Sequence, residues 1–204
     1  ILTAWSQSTK GETFVLVADL SDRSALVDIA GEAAQPFGNP DILINAAGIN
    51  TRQPADKMTD EYWDLTQNLN VAAPFFLAKA LVPGMRSKGW GRIINFASLQ
   101  SKRAFKNGIS YGTSKGAVEQ MTRAMAEAWS PDGITANSIA PGFFPTELTE
   151  SVFSDPELSA RNAAQTCIGR NGEIHDMEGP MIFFCSNASN YITGQTLFVD
   201  GGYT

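Results

Sequence analysis

The sequence predicts an α/β fold in which a doubly wound parallel sheet carries helices on both faces. Short apolar runs alternate along the chain with longer segments of helical periodicity, and this alternation is typical of parallel βαβ units. The chain has 204 residues, of which 43% are apolar and 18% are charged, a balance typical of globular proteins. Since no repeat or interdomain linker interrupts the pattern, residues 1–204 are expected to form a single domain.

Five apolar runs are predicted as strands because they are short, apolar and bounded by turn residues. They lie at residues 13–20, 41–48, 91–98, 133–142 and 196–202.

Helices are predicted between the strands from the spacing of apolar residues and from capping residues. The first carries an apolar stripe formed by Leu26, Ile29, Ala30, Ala33 and Phe37. Thr59 is predicted to cap a long helix that runs to about residue 87, and further helices are predicted over 111–129 and near 173–186. The segment 143–175 breaks this rhythm and contains Phe143, Phe144 and Phe153. We expect it to form a mobile flap, and we call it the flap below.

Composition narrows the possible functions. A net charge of −6 and a pI near 4.8, with no basic run, argue against a nucleic-acid or anionic-membrane partner. No apolar run approaches the ~20 residues that span a bilayer. Cys167 and Cys185 form no close-spaced motif, and the single His175 lies far from both in sequence, so no zinc spacing is visible and no metal is expected. We expect a cytoplasmic protein, with His175 at the surface or at a helix start.

The stretch SYGTSK places Tyr111 and Lys115 four residues apart, on one face of a predicted helix. An ammonium near a phenol favours the phenolate and thus lowers the pKa of the phenol. Lowering an ordinary tyrosine pKa by ~3 units takes about 4 kcal/mol, and one charge at ~4 Å in an effective dielectric of about 20 supplies about that much. The pair could therefore be a proton-transfer device, or the two residues could share a surface by chance, and the spacing alone does not decide between these readings.

Other polar and small residues follow the predicted strands directly. Asp19, the NAAG of residues 45–48, Ser98 and the PG of residues 141–142 each stand where a strand ends. Because ligands of open α/β sheets bind beyond the carboxyl ends of the strands, these segments are predicted to form one site.

These residues resemble the short-chain dehydrogenase/reductase family of nicotinamide-dependent oxidoreductases, whose fold is Rossmann-like. The landmarks follow the family's order: AD at 18–19, NAAG at 45–48, NLNV at 68–71, Ser98, YGTSK at 111–115, PGFFPT at 141–146 and ITGQTLFVDGG at 192–202. The resemblance covers the chain from about residue 13 to its end.

The resemblance implies the roles of the site residues. Tyr111 would be the general acid/base, Ser98 would hydrogen-bond the substrate oxygen, Lys115 would assist Tyr111, and Asn70 would support a water chain to Lys115. The implied cofactor-binding residues are Asp19, Leu20, Asn45, Ala46, Ala47, Gly48, Tyr111, Lys115, Pro141, Gly142, Phe144 and Thr146.

A proline close to the implied catalytic asparagine leads to a further hypothesis, which rests on the residues alone. Pro74 lies four residues after Asn70 and has no N–H to donate to the Asn70 carbonyl. We therefore expect Pro74 to interrupt the regular hydrogen-bond ladder of the long helix and to release that carbonyl as an acceptor near Lys115.

The chain departs from the family at one motif, the TGxxxGxG turn that binds the pyrophosphate, which the sequence does not contain. From the order of the elements we expect the first two strands and the first helix of the family fold to be absent and the chain to be a fragment of a longer protein. The second strand would carry the residue that distinguishes NAD from NADP, so the expected cofactor is NAD or NADP.

The expected substrate is a small alcohol or ketone, and segments such as NAAGINTRQP lean toward sugar acids or polyols of the gluconate 5-dehydrogenase type. Arg52 and Arg103 could hold a carboxylate bidentately, or both could be loop arginines that face solvent. Two alternatives stay open: a 3-oxoacyl-thioester reductase, and a non-catalytic scaffold or sensor of the same fold. The resemblance also implies a homotetramer or homodimer.

Overall fold

The structure is a computed structural model that describes residues 11–204. Four parallel strands form one sheet within these residues, in the spatial order β1-β2-β3-β4. The strands are β1 (Ile42–Asn45), β2 (Gly91–Phe96), β3 (Ile134–Pro141) and β4 (Thr196–Val199). All three strand pairings are parallel, as the alternation of strands and helices predicts.

Helices connect the strands and cover the sheet. They are α1 (Leu26–Ala34), α2 (Asp60–Gln67), α3 (Ala73–Lys88), α4 (Ile109–Trp129), α5 (Glu150–Phe153), α6 (Pro156–Ala163) and α7 (Glu178–Cys185). The Thr59 side chain accepts a hydrogen bond from the Tyr62 N–H, which confirms the predicted cap. None of the described helices is long and apolar enough to cross a membrane.

The core lies on both faces of β2 and β3, which are buried along their length. On one face, Ile93 and Ala136 pack against Met85 of α3 and Met125 of α4. On the other face, a second cluster places Phe184 of α7 with aliphatic residues of β2 and β3. Strands covered on both faces read as nearly continuous apolar runs, which explains why β2 and β3 were recognisable from sequence.

The predicted strand at 13–20 is not formed. These residues belong to no strand or helix, and Phe14 and Val17 are 55% and 91% exposed. An apolar run becomes a strand only when a neighbouring strand accepts its hydrogen bonds, and β1 pairs only with β2 among the described residues. The predicted stripe of α1 also ends early, because the helix stops at Ala34 and Phe37 is exposed.

The long helix predicted after Thr59 is divided by a π turn over Asn68–Ala72. In this turn the Ala73 N–H donates to the Asn68 carbonyl, five residues back rather than four. Pro74 is buried in the first turn of α3, directly after the π turn. The predicted interruption of the regular ladder is therefore confirmed, and it takes the form of a π turn.

The flap carries two short helices, α5 and α6, and is closed at its base by a hydrogen bond from the Gly172 N–H to the Phe143 carbonyl at 2.8 Å. Gly172 has no Cβ, and a Cβ built there would lie 2.5 Å from the Phe144 ring, so this close approach requires glycine. The flap therefore has a fixed base at the end of β3.

Candidate active site

Tyr111 and Lys115 lie in the first two turns of α4, and Ser98 follows β2. The Ser98 backbone is extended, and its hydroxyl caps a short 3₁₀ turn by accepting from the Gln100 N–H at 3.2 Å. The Ser98 side chain also lies near the phenol of Tyr111 and acts to lower its pKa. The structure therefore brings together the serine and the tyrosine that the sequence predicted to act on the substrate oxygen.

Lys115 is 5% exposed, and its Nζ donates to the Phe96 carbonyl at the end of β2, at 2.7 Å. The same Nζ lies 5.6 Å from the centroid of the Tyr111 ring, so the predicted stacking on one helical face is confirmed. Burial lowers the pKa of Lys115 from 10.5 to about 8, because an ammonium loses hydration in the interior.

The predicted direction of the Tyr111 pKa is wrong for the chain by itself. Burial raises the pKa of Tyr111 above its ordinary value, and the Ser98 hydroxyl and the Arg52 charge only counteract this in part. Because burial also lowers the pKa of Lys115, the ammonium loses its proton before the phenol does as the pH rises. The side chains alone thus keep Tyr111 protonated at neutral pH.

Asn70 stands in the π turn and is 1% exposed. Its side-chain oxygen accepts from the Ile49 N–H at 2.9 Å, and its Nδ2 donates to the Ile49 carbonyl at 2.9 Å. The same Nδ2 donates to the Ser114 hydroxyl at 3.0 Å, and Ser114 donates to the Tyr111 carbonyl at 2.7 Å. Asn70 therefore ties the loop after β1 to the helix that carries Tyr111.

Gly48 lies in that loop, directly above the lysine. A Cβ built on Gly48 would lie 3.2 Å from Asn70 Oδ1 and 3.6 Å from Lys115 Nζ. Glycine at this position therefore places no side chain between the loop and the ammonium. Ala46 and Ala47, which precede Gly48, are exposed at the end of β1.

Asn45 points elsewhere. It is 8% exposed, and its Nδ2 donates to Asn95 Oδ1 on β2 at 2.8 Å, while Asn95 donates to Thr122 of α4 at 2.9 Å. Its side chain therefore belongs to a buried polar ladder that joins β1, β2 and α4, and the cofactor contact that the resemblance implies for it stays a prediction.

The N-terminal cofactor candidates lie on the segment that forms no strand. The Asp19 carboxylate is exposed and accepts from the N–H and the hydroxyl of Ser21, at 2.9 and 2.7 Å, which lowers the pKa of Asp19. Leu20 is half-buried beside it.

The candidates after β3 lie at the base of the flap. Pro141 ends β3, and the Gly142 N–H donates to the Val199 carbonyl at 2.9 Å. Phe144 is 5% exposed, so its ring is packed inside the flap base, and Thr146 forms a capping box with Thr149. The cofactor contacts that the resemblance implies for Phe144 and Thr146 stay predictions.

The two candidate arginines differ in their surroundings. Arg52 donates to Ser151 and to the Leu148 carbonyl, and its charge acts on Tyr111. Arg103 donates to the Tyr203 carbonyl at 3.3 Å, with its guanidinium 5.1 Å from the centroid of the Tyr203 ring. The structure therefore brings Arg52 toward the phenol and places Arg103 against the C-terminal residues.

The sequence reasoning missed several residues that shape the site. Ser114 lies three residues after Tyr111, a spacing that could have revealed their contact. Ser101 donates to the Lys115 carbonyl at 2.9 Å and so joins the Ser98 turn to α4. The rings of Phe105, Phe143 and Tyr203 come together from three distant segments, and no local pattern predicts that cluster.

A family model described as enoyl-(acyl carrier protein) reductase matches residues 2–204. The chain belongs to the short-chain dehydrogenase/reductase family. Its relatives include the gluconate 5-dehydrogenase of Gluconobacter oxydans, 38% identical over 188 residues, which span 92% of this chain and 73% of that protein. The 2-dehydro-3-deoxy-D-gluconate 5-dehydrogenase of Escherichia coli is 38% identical over 192 residues, 92% of this chain and 75% of that protein.

Solved structures agree with this assignment. A gluconate 5-dehydrogenase from Burkholderia cenocepacia, in complex with NADP and tartrate, superposes with a TM-score of 0.87 at 37% identity, over 92% of this chain and 73% of that one. A 4-hydroxyisoleucine dehydrogenase in complex with NADH superposes with a TM-score of 0.91 at 30% identity, over 98% and 83% of the two chains. The chain is thus an oxidoreductase of a family that uses NAD or NADP, and its fold is Rossmann-like.

Proposed function

We propose that this chain transfers a hydride between a nicotinamide cofactor and the secondary alcohol of a sugar acid or polyol, in the manner of a gluconate 5-dehydrogenase. The observation that carries the proposal is the convergence of three side chains: Ser98 lies beside the Tyr111 phenol, and the buried Lys115 ammonium lies 5.6 Å from the centroid of the Tyr111 ring. The relatives support the substrate class, since one acts on gluconate and another on galactitol.

The residues of the site fit the cofactor. Among the described residues, Lys115 Nζ donates to the Phe96 carbonyl, and an ammonium has three N–H donors, so ribose hydroxyls could accept from the others. The absence of a side chain at Gly48 lets a ligand approach this ammonium, and Ala46 and Ala47 keep the neighbouring strand end small. When bound, the nicotinamide supplies or accepts the hydride.

The chain's own residues would handle the proton and the orientation of the substrate. In ketone reduction the protonated Tyr111 would donate a proton to the ketone oxygen, and in the reverse reaction its phenolate would accept the proton of the alcohol. Ser98 can donate to a carbonyl oxygen and accept from a hydroxyl, so it would hold the substrate oxygen in both directions. Asn70 would keep the Gly48 loop and α4 in register, through Ile49 and Ser114.

Arg52 would bind the carboxylate of the sugar acid. Its charge already acts on Tyr111, so a substrate oxygen at the phenol would lie within the influence of this guanidinium. A planar guanidinium can hold a carboxylate through two parallel N–H bonds. The cytoplasmic location and the homotetramer or homodimer stay predictions.

The test follows nicotinamide absorbance with the full chain, NAD or NADP, and either gluconate or galactitol. We expect turnover of at least one of them, with a loss of 10²- to 10⁴-fold in kcat in Tyr111→Phe. A control titration of tryptophan fluorescence with NADH and NADPH should show that this variant still binds cofactor. Turnover of a 3-oxoacyl thioester alone would favour the reductase alternative, and cofactor binding to neither form would favour the scaffold.

A further inference from the structure

Arg52 links the loop after β1 to the flap. Its Nη1 donates to the Ser151 hydroxyl at 2.9 Å, and its Nη2 donates to the Leu148 carbonyl at 3.3 Å. Within residues 11–204, these are the hydrogen bonds that reach residues 145–153 from outside the flap. The first flap helix is therefore tied to the sheet edge of the site through one side chain.

The backbone of Arg52 is held in an unusual conformation. Its φ of 46° lies in the left-handed region, which side chains with a Cβ rarely adopt, and its N–H donates to Asn50 Oδ1 at 3.3 Å. Such conformations persist where the surrounding structure imposes them, and they concentrate at functional sites. The loop thus directs the Arg52 side chain across the site to the flap.

The contacts with the flap use only part of the guanidinium. Arginine has five N–H donors in a fixed planar fork, and Ser151 and Leu148 accept from one each. The remaining donors can hold a carboxylate while the flap contacts persist. Because the fork is rigid, fixing one side of it sets the orientation of the other side.

We propose that Ser151 is a positioning residue for anionic substrates: by accepting from Arg52 Nη1, it orients the guanidinium so that its other N–H groups bind the substrate carboxylate. The flap and the carboxylate then share one guanidinium, so the contact with the flap sets the geometry in which the charge is bound. This inference rests on the proposed function and adds a residue that touches neither the substrate oxygen nor the cofactor.

Kinetics with a charged and a neutral substrate test the proposal. Ser151→Ala should raise KM for gluconate about fivefold, the equivalent of about 1 kcal/mol, because one hydrogen bond to a charged group orients the fork. KM for galactitol, which has no carboxylate, and kcat for both substrates should stay within about twofold. Ser151→Thr, which keeps the hydroxyl, should restore the wild-type KM. An equal rise in KM for both substrates would overturn the proposal.

A matched variant and a second readout separate this proposal from the proposed function. Hydrogen exchange over residues 145–153 in the chain without substrate should become about fivefold faster in Ser151→Ala and in Arg52→Gln. It should be unchanged in Ser154→Ala, since Ser154 joins the flap helix through its main-chain N–H to the Glu150 carbonyl at 2.8 Å. Unchanged exchange in Ser151→Ala would overturn the link between Ser151 and Arg52, whatever the enzyme turns over.

If the wild-type chain turns over neither gluconate nor galactitol, the proposed function and the carboxylate role of Arg52 are both overturned. Turnover of both substrates with the same KM shift in Ser151→Ala would overturn the positioning role alone. Faster exchange with a KM shift confined to gluconate supports both.

Discussion

Lys115 lies one helical turn beyond Tyr111, yet its ammonium donates to the Phe96 carbonyl at 2.7 Å, with the Tyr111 ring centroid 5.6 Å away. The carbonyl at the end of β2 thus fixes the lysine. The 3₁₀ turn that Ser98 caps follows the same strand. Burial raises the pKa of Tyr111 and lowers that of Lys115. The chain by itself therefore holds a neutral phenol beside an ammonium that loses its proton more easily than an exposed lysine does.

The raised pKa of Tyr111 predicts different pH profiles for the two directions of the reaction. Ketone reduction needs the protonated phenol, so kcat/KM for reduction should be flat from about pH 6 to 8. Alcohol oxidation needs the phenolate, so its kcat/KM should rise about tenfold per pH unit over the same range. Initial rates at a series of pH values measure both, and a flat oxidation profile would show that another group acts as the base.

The lowered pKa of Lys115 predicts a stability effect. Between the native value of about 8 and the ordinary value of 10.5, the unfolded state holds more protons, so the free energy of unfolding rises with pH in this window. Below pH 8 both states are protonated, and the burial penalty is complete. Lys115→Met removes a penalty of about 3 kcal/mol and a hydrogen bond worth about 1 kcal/mol, so the variant should be about 2 kcal/mol more stable at pH 7.

Urea denaturation at pH 7 and pH 10 measures this difference. The advantage of Lys115→Met should shrink at the higher pH, while the exposed Lys106→Met should show no comparable change. If Lys115→Met were less stable than wild type at pH 7, the buried ammonium would be better compensated than its surroundings indicate.

We predict that a side chain added at Gly48 weakens cofactor binding. In Gly48→Ala the new methyl group would lie 3.2 Å from Asn70 Oδ1 and 3.6 Å from Lys115 Nζ, so the loop or the asparagine must shift. We expect cofactor affinity, measured by tryptophan fluorescence, to fall about tenfold, or about 1.4 kcal/mol.

Gly116→Ala is the matched control, because it lies in α4 and nothing stands within 4 Å of an added Cβ. This variant should bind cofactor normally and gain about 0.5–1 kcal/mol of stability from the better helix former. Equal affinities in the two variants would mean that Gly48 does not face the ligand.

We predict that an ion pair between Lys102 and Glu119 stabilises the packing of the 3₁₀ turn after Ser98 against α4. Lys102 Nζ lies 2.8 Å from Glu119 Oε2, and the Glu119 side chain is 4% exposed, with Arg123 at 3.8 Å as its other cation. Lys102→Ala leaves this buried carboxylate poorly compensated, so it should destabilise the chain by about 1–2 kcal/mol.

The second substitution, Glu119→Gln, should be less harmful in the Lys102→Ala background than in wild type, because no lysine is then left unpaired. Thermal unfolding of the two single variants and the double variant gives the coupling energy. Additive effects would show that the pair does not hold the turn.

Prediction from the sequence succeeded where the spacing of apolar or polar residues by itself determines the local structure. The apolar runs of β2 and β3 and the four-residue spacing of Tyr111 and Lys115 predicted a sheet edge and a helical face that the structure contains. The segment 13–20 failed because strand formation depends on a partner strand as well as on its own residues. The direction of the Tyr111 pKa failed because burial is set by packing from distant segments.

The second arginine and the flap contacts show the same limit. Arg52 and Arg103 look alike as loop arginines in the sequence, but only the three-dimensional arrangement gives one of them Ser151 and the other Tyr203 as a partner. Loop side chains of this kind follow no period, so their partners cannot be read from spacing.

The turn over Asn68–Ala72 accommodates one more residue than an α-helix would place there. Deleting a single amino acid from it would rotate everything before the deletion by about 100° relative to everything after it. Asn70 could not then face both Ile49 and Ser114. Chain length at this point therefore determines the geometry of the candidate site in its own right, a dependence that substitutions do not probe.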